Sequence, residues 1–182
     1  AQGKRLGPNR YFEHIRKHKQ WKNGVQGYLA SIYFADTMLG HVLDNLEKGP
    51  NSDNTIVVLW SDHGWHLGEK QHWQKFTGWR ACTRVPLIIR VPKGTASLPK
   101  GTLPSICSEP VSLLSLAPTL LELSGLDPIK THDGPSLVPL LVDPNSNWPH
   151  VAITHLDTPG SFGISSKRWR YIKYSNGGEE LY

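Results

Sequence analysis

The sequence is short of sulfur: its 182 residues include two Cys and one Met. Cys82 and Cys107 are too few for a disulfide framework or a zinc knuckle, and each is expected to be a small buried hydrophobe. No run of 18 or more apolar residues occurs, so no segment reads as spanning a membrane. Ala1-Gln2-Gly3-Lys4-Arg5 is not followed by an apolar h-region, so no signal peptide is read here. No Asn-x-Ser/Thr acceptor is present, which disfavours a glycosylated lysosomal protein. The formal net charge is a moderate +5. No nucleic-acid-binding module accompanies the basic residues, so nucleic acid is not an expected partner.

Against these absences stand 38% hydrophobic residues and seven Trp, enough for one sizeable core or one and a half. Much of the positive excess opens the chain, at Lys4, Arg5, Arg10, Arg16, Lys17, Lys19 and Lys22. Such a run reads as a solvated face or as an attractor of a polyanionic substrate. In residues 26–47, Tyr28, Ile32, Ala35, Met38, Leu39, Val42, Leu43 and Leu46 recur at helical spacing. Gly49-Pro50-Asn51-Ser52-Asp53 then stops that helix. Residues 55–60 read as a strand covered on both faces, as in a parallel sheet, and helix followed by strand points to an α/β fold.

Residues 61–84 read as one long loop, a length that usually carries function. Residues 85–91 return as a strand that begins near Pro86, and 92–104 form a further loop. Residues 111–116 and 118–124 read as helical, with Pro118 in a first turn and Gly125 as a stop. Composition shifts after Leu141-Val142-Asp143-Pro144. Residues 151–155, 162–165 and 169–174 then read as a small antiparallel sheet, with turns at Pro159-Gly160 and Asn176-Gly177-Gly178. The expected division is 1–142 for part of an α/β catalytic domain and 143–182 for a small antiparallel β subdomain.

Ligand sites of open α/β sheets lie beyond the carboxyl ends of the strands. Ser61-Asp62-His63-Gly64-Trp65-His66-Leu67-Gly68-Glu69 begins there, after Trp60. Asp62 supplies a hard oxygen ligand for Ca²⁺ or Mg²⁺, and His63 could be a second ligand or a donor to a bound anion. Gly64 and Gly68 permit a sharp turn and a close approach. Lys75 is a flexible point charge that could reach an anionic oxygen. The plainer alternative is a turn-capping Asp beside a satisfied His. His63, His66, Glu69 and His72 recur every third residue, but this is not the zinc-protease spacing, and the glycines oppose a helix. His66 reads as a wall residue. Trp65, His72 and Trp79 could line a sugar-binding cleft, although Trp more often serves the core.

Ser61-Asp62-His63-Gly64 with Leu67-Gly68-Glu69, then His72-Trp73-Gln74-Lys75, then Thr83-Arg84-Val85-Pro86-Leu87-Ile88, resembles the second half of a sulfatase of the alkaline-phosphatase superfamily. The Asp-His-Gly form with Trp65 is most similar to the iduronate-2-sulfatase-like branch. Tyr28-Leu29-Ala30 with Asp36 and Gly40 matches the helix before the metal strand. Val111-Ser112-Leu113, Ala117-Pro118-Thr119-Leu120-Leu121 with Gly125, and Asp133-Gly134-Pro135-Ser136-Leu137 extend the likeness over roughly residues 25–182. One departure is Arg80, where relatives often carry an acidic residue.

The resemblance implies an alkaline-phosphatase-like α/β fold, part of a mainly parallel sheet with flanking helices, followed by a small C-terminal antiparallel sheet. It implies hydrolysis of sulfate esters of a sulfated sugar or glycosaminoglycan. Asp62 and His63 would bind a divalent cation, most often Ca²⁺. Lys75 would contact the sulfate and leaving oxygen, with His72 and Trp65 beside the substrate. The family nucleophile is a formylglycine made from Cys in Cys-x-Pro-Ser-Arg. Cys82 is followed by Thr83-Arg84-Val85 and Cys107 by Ser108-Glu109-Pro110, so neither fits, and the nucleophile is expected upstream. Both ends are expected to be cut, the N-terminal part of the same enzyme is an expected partner, and this piece alone is expected to be inactive. The expected location is periplasmic or secreted, or lysosomal in a eukaryote. The alternatives are a phosphatase or phosphonate monoester hydrolase of the same superfamily, and a non-catalytic fragment that binds sulfated glycans.

Overall fold

The computed structural model describes residues 8–156 and 159–182; Lys4 and Arg5 of the basic opening lie outside them. The described residues fall into two compact units, one ending at Arg90 and one starting at Val91.

The first unit opens on helix α1 (Arg10–Lys17), whose first turn is capped by Asn9 accepting from the Phe12 amide at 2.8 Å. Arg16 and Lys17 sit in its last turn, where cations complement the helix dipole. The basic opening is thus in large part a helix. Lys19 takes a left-handed φ of 55° and turns the chain into α2 (Trp21–Lys48), 28 residues and about 42 Å long. Gly49 ends it in extended backbone, its N–H still bonded to the Leu46 carbonyl at 3.0 Å.

Helix α2 starts five residues before the helix expected at 26–47 because its first turns have a tertiary job. The Trp21 ring meets Phe12 and Trp73 edge-on, with centroids 5.3 and 5.9 Å away. A Cβ on Gly68 would lie 2.1 Å from the Trp21 ring, and one on Gly24 would lie 2.8 Å from Trp73. No residue of α2 is buried, Trp21 itself remaining 41% exposed. Ile32, Tyr33, Phe34 and Val42 are each more than half exposed.

Strand β1 (Val57–Trp60) runs on into the 61–86 segment, which contains β2 (His66–Leu67), a 3-10 turn (Glu69–Gln71), β3 (Trp73–Gln74) and α3 (Arg80–Thr83). Strand β4 (Leu87–Arg90) then pairs antiparallel with β1, Trp60 opposite Leu87. The doubly covered parallel strand expected at 55–60 is here a half-exposed strand whose ladder among the described residues is antiparallel, with Trp60 48% exposed. An apolar run reports a surface fit for burial and says nothing of its partner's direction. The long loop expected at 61–84 contains an antiparallel hairpin, His66 opposite Gln74 and Leu67 opposite Trp73. Ladders of two residues are too short to leave an alternating pattern in sequence.

The second unit packs α4 (Leu116–Leu123) and α5 (Val138–Val142) around Thr119, Leu123, Leu137, Val138 and Leu140, all buried. Gly125, at φ 69°, closes α4. Leu126 N–H bonds to the Leu121 carbonyl at 2.9 Å and Gly125 N–H to that of Glu122 at 3.1 Å, the paired bonds of a Schellman stop. The Thr119 hydroxyl donates to the Ser115 carbonyl at 2.5 Å and accepts from Leu137 N–H at 2.8 Å, which docks the Gly134-Pro135-Ser136 approach onto α4. Strands β5 (Ala152–His155), β6 (Phe162–Ser165), β7 (Arg170–Lys173) and β8 (Glu179–Leu181) form an antiparallel sheet in chain order, with Ile172 fully buried. Among the described residues no helix is long and apolar enough to cross a membrane.

Gly64 is a test of the first unit, since a Cβ there would stand 2.1 Å from the Ala81 carbonyl oxygen. Backbone cannot swing aside as a side chain can. Gly64→Ala should cost about 2 kcal/mol or more in urea unfolding. In mid-α2, where a Cβ on Gly27 meets nothing within 4 Å, Gly27→Ala should instead stabilise by roughly 0.5–1 kcal/mol.

Candidate functional site

Asp62 and His63 follow the C-terminal end of β1 directly. The Ser61 hydroxyl donates to the His63 carbonyl at 2.9 Å, and the His63 amide donates to Asp62 Oδ1 at 3.0 Å. His63 Nδ1 lies 2.9 Å from the Gly64 carbonyl. A carbonyl only accepts, so Nδ1 carries the proton and Nε2 keeps its lone pair. Lys75 Nζ donates to that lone pair at 2.8 Å, and Asp62 Oδ2 stands 3.6 Å from the same nitrogen. A carboxylate, a neutral imidazole and an ammonium therefore meet at one strand end.

Lys75 reaches this point through an unusual backbone. Lys70, Gln71, Gln74 and Phe76 have φ of 53°, 56°, 82° and 68°, each costing on the order of 1 kcal/mol or more for a side chain with a Cβ. The segment is held by buried neighbours. Trp73 is 8% exposed, and Thr77 bonds His66 Nε2 at 2.7 Å. His66 itself is 1% exposed, so it forms the floor of the loop. Its ring lies against those of His72 and Trp79, at 5.0 and 5.6 Å. Its Nδ1 has no hydrogen-bond partner among the described residues, and Glu69 Oε2 is 3.7 Å away. Burial, reinforced by His72, lowers its pKa from 6.5 to about 4.

Asp62, His63 and Lys75 are thus brought together. Trp65 lies beside them, its ring centroid 6.4 Å from that of His63. His72 faces into the loop, with Nε2 3.0 Å from Lys75's own carbonyl. Arg80 is exposed at the start of α3. Two residues the sequence alone did not single out are Thr77 and Asn9. Asn9 lies among the first residues and yet touches Trp73 and His72. Its signal was present as a helix N-cap residue ahead of Phe12.

The donor chemistry fits part of a cation site. Asp62 offers hard oxygen, and the Gly64 carbonyl fixes the His63 tautomer with its lone pair on Nε2, as second-shell carbonyls do for metal-bound imidazoles. Lys75 occupies that lone pair here, so a cation bound there would displace Nζ from it. Among the described residues no three His, Cys, Asp or Glu side chains group as a cation site, so this pair supplies at most a share of the ligands.

The pattern of the family described as Sulfatase matches residues 6–126. The chain is 40% identical over 163 residues to a sulfatase of Formosa agariphila, an alignment covering 90% of this chain and 31% of that protein. It is 39% identical over 119 residues to iduronate 2-sulfatase of Homo sapiens, covering 56% and 22% respectively. A protein solved in complex with its substrate D-glucosamine-2-N,6-O-disulfate matches with a TM-score of 0.68 and 30% identity, over 85% of this chain and 33% of that one. A phosphonate monoester hydrolase from Silicibacter pomeroyi matches with a TM-score of 0.66 and 26% identity, over 81% and 32%. The chain belongs to the sulfatase family, with an alkaline-phosphatase-like α/β fold and a small antiparallel C-terminal sheet. It spans about a third of the length of the Formosa agariphila sulfatase and of the disulfate-bound protein. Sulfatases generally use a formylglycine and a divalent cation.

The buried His66 makes stability depend on pH. Its folded pKa, about 4, is below the unfolded 6.5, so the unfolded chain binds more protons between those values and stability falls as pH drops through that window. The loss should be on the order of 3 kcal/mol. Urea midpoints of His66→Gln, followed from pH 7 to pH 4, should show a shallower decline than those of the parent.

Proposed function

We propose that the protein containing this chain hydrolyses sulfate esters of a sulfated sugar or glycosaminoglycan, in the manner of the iduronate-2-sulfatase-like branch. The observation that carries this reading is the convergence of Asp62, His63 and Lys75 at the end of β1, with Lys75 Nζ 2.8 Å from His63 Nε2. Asp62 and His63 would hold a divalent cation, Ca²⁺ in this reading, which would take over the Nε2 lone pair that Lys75 occupies here. When bound, the cation would neutralise charge on the sulfate oxygens, and a formylglycine outside this chain would supply the nucleophile. Lys75 holds positive charge where the sulfate and the leaving oxygen lie. Fixed electrostatic stabilisation of this kind often lowers a reaction barrier more than any other effect. Trp65 and His72 flank the sugar.

Residues 1–142 belong in this reading to the catalytic α/β domain and 143–182 to the C-terminal subdomain. The natural partner is the N-terminal part of the same enzyme, and this piece alone is inactive. The exposed apolar face of α2, with Ile88 58% exposed on β4, supports a fold that continues over it. A periplasmic or secreted location, or a lysosomal one in a eukaryote, suits the substrate.

A second reading, phosphonate or phosphate monoester hydrolysis, is favoured by the likeness to the Silicibacter pomeroyi enzyme. Both chemistries need a cation and a lysine around a tetrahedral anion. The full-length protein with Ca²⁺ should release sulfate from sulfated glucosamine far faster than it releases phosphate or phosphonate from matched esters. The reverse order would move it to the second class. Lys75→Ala should lower kcat for the preferred ester by roughly 10²-fold or more, and an unchanged kcat would remove Lys75 from the site.

A further inference from the structure

We infer that Asn9 is a positioning residue for Lys75, fixing from helix α1 the strand that delivers the ammonium to the strand-end site. The inference rests on the reading of Lys75 as the group that contacts the anion.

Asn9 does more than cap a helix. A cap needs one side-chain oxygen, which Asn9 Oδ1 supplies to Phe12 N–H. The same oxygen also accepts from Trp73 N–H at 3.1 Å, and Nδ2 donates to the Trp73 carbonyl at 2.8 Å. The side-chain amide therefore binds both backbone groups of one residue, as a neighbouring strand would. Asn9 N–H adds a bond to the Gln71 carbonyl at 3.0 Å. Because β2 covers the other edge of β3, Asn9 acts as the third strand of this small sheet. It is 7% exposed, so these bonds form out of water, where losing one partner leaves the other unsatisfied.

The contacts stop two residues short of Lys75, and the intervening geometry makes their placement matter. Gln74 and Phe76, on either side of Lys75, are both left-handed. That pair turns the Lys75 side chain toward His63, and it persists only while its flanks are held. Thr77 holds the far flank through His66, and Trp73 holds the near one. The Phe12, Trp21 and Trp73 rings back the same junction from the helix side. With the Trp73 backbone released, the strained pair can relax and Nζ loses its register with His63 Nε2. Displacements of about 1 Å in such groups cost up to 10²-fold in rate.

The test uses the full-length protein and its preferred ester. Asn9→Ser keeps a good N-cap but is too short to serve Trp73. Asn9→Asp keeps the cap and turns the Nδ2 donor into an oxygen facing the Trp73 carbonyl. Both should lower kcat about tenfold or more, leave KM within about threefold, and speed exchange of the Trp73 amide. On a Lys75→Ala background neither should reduce kcat further, because the group being positioned is gone. An unchanged kcat in the single variants, or the same fold-loss with and without Lys75, would overturn the inference. If Lys75→Ala itself leaves kcat intact, the reading of the site fails first. A normal Lys75→Ala loss beside a silent Asn9→Asp and Asn9→Ser defeats only the role of Asn9.

Discussion

The bond from His63 Nδ1 to the Gly64 carbonyl decides what the strand end can do. It places the imidazole proton on Nδ1 and leaves the Nε2 lone pair to accept from Lys75, with the Asp62 carboxylate, an acceptor only, standing 3.6 Å off. Reversing the tautomer would set an N–H against an ammonium. The carbonyl is in turn fixed by close packing. Gly64 N–H bonds to the Cys82 carbonyl at 2.8 Å, and no side chain fits between Gly64 and Ala81. The glycine is required by approach distance, and α3 supplies the wall it approaches. Chemistry at His63 thus depends on a backbone contact eighteen residues away.

Around that point the first unit is built as a cradle for a strained segment. Four non-glycine residues between 70 and 76 are left-handed, and such conformations survive only where surrounding contacts over-determine them. Here these are buried Trp73, the His66–Thr77 bond and the amide of Asn9. The uncharged state of His66 belongs to the same design. Burial keeps the imidazole neutral, so the loop's interior adds no positive charge beneath Lys75. The basic opening, read in sequence as a solvated face or as an attractor of a polyanion, contributes here through uncharged Asn9 and the rings of Phe12 and Trp21.

The long helix tells a different story. Its apolar stripe is real, and on it Ile32, Met38 and Val42 are exposed while Tyr28, Leu39, Leu43 and Leu46 are half-buried. The chain spans about a third of the length of the Formosa agariphila sulfatase. The second unit buries Thr119, Leu123, Leu137, Val138 and Leu140, while Leu103, Ile106 and Leu114 stand exposed on it.

What sequence alone determined were features written in local chemistry. The grouping of Asp62, His63 and Lys75 was legible through a family resemblance; the features legible from the residues themselves were the helical period of 26–47, the Gly125 stop and the turns of the C-terminal sheet. Each depends on residue type at short spacing, so each is legible without coordinates. Tertiary structure alone decided the antiparallel partner of β1, the two-residue hairpin within 61–84, helix α5, and the part played by Asn9. Two-residue ladders and five-residue helices carry too little pattern to be read. A side-chain amide that binds a strand 64 residues away leaves no periodic trace at all, because only folding sets that distance.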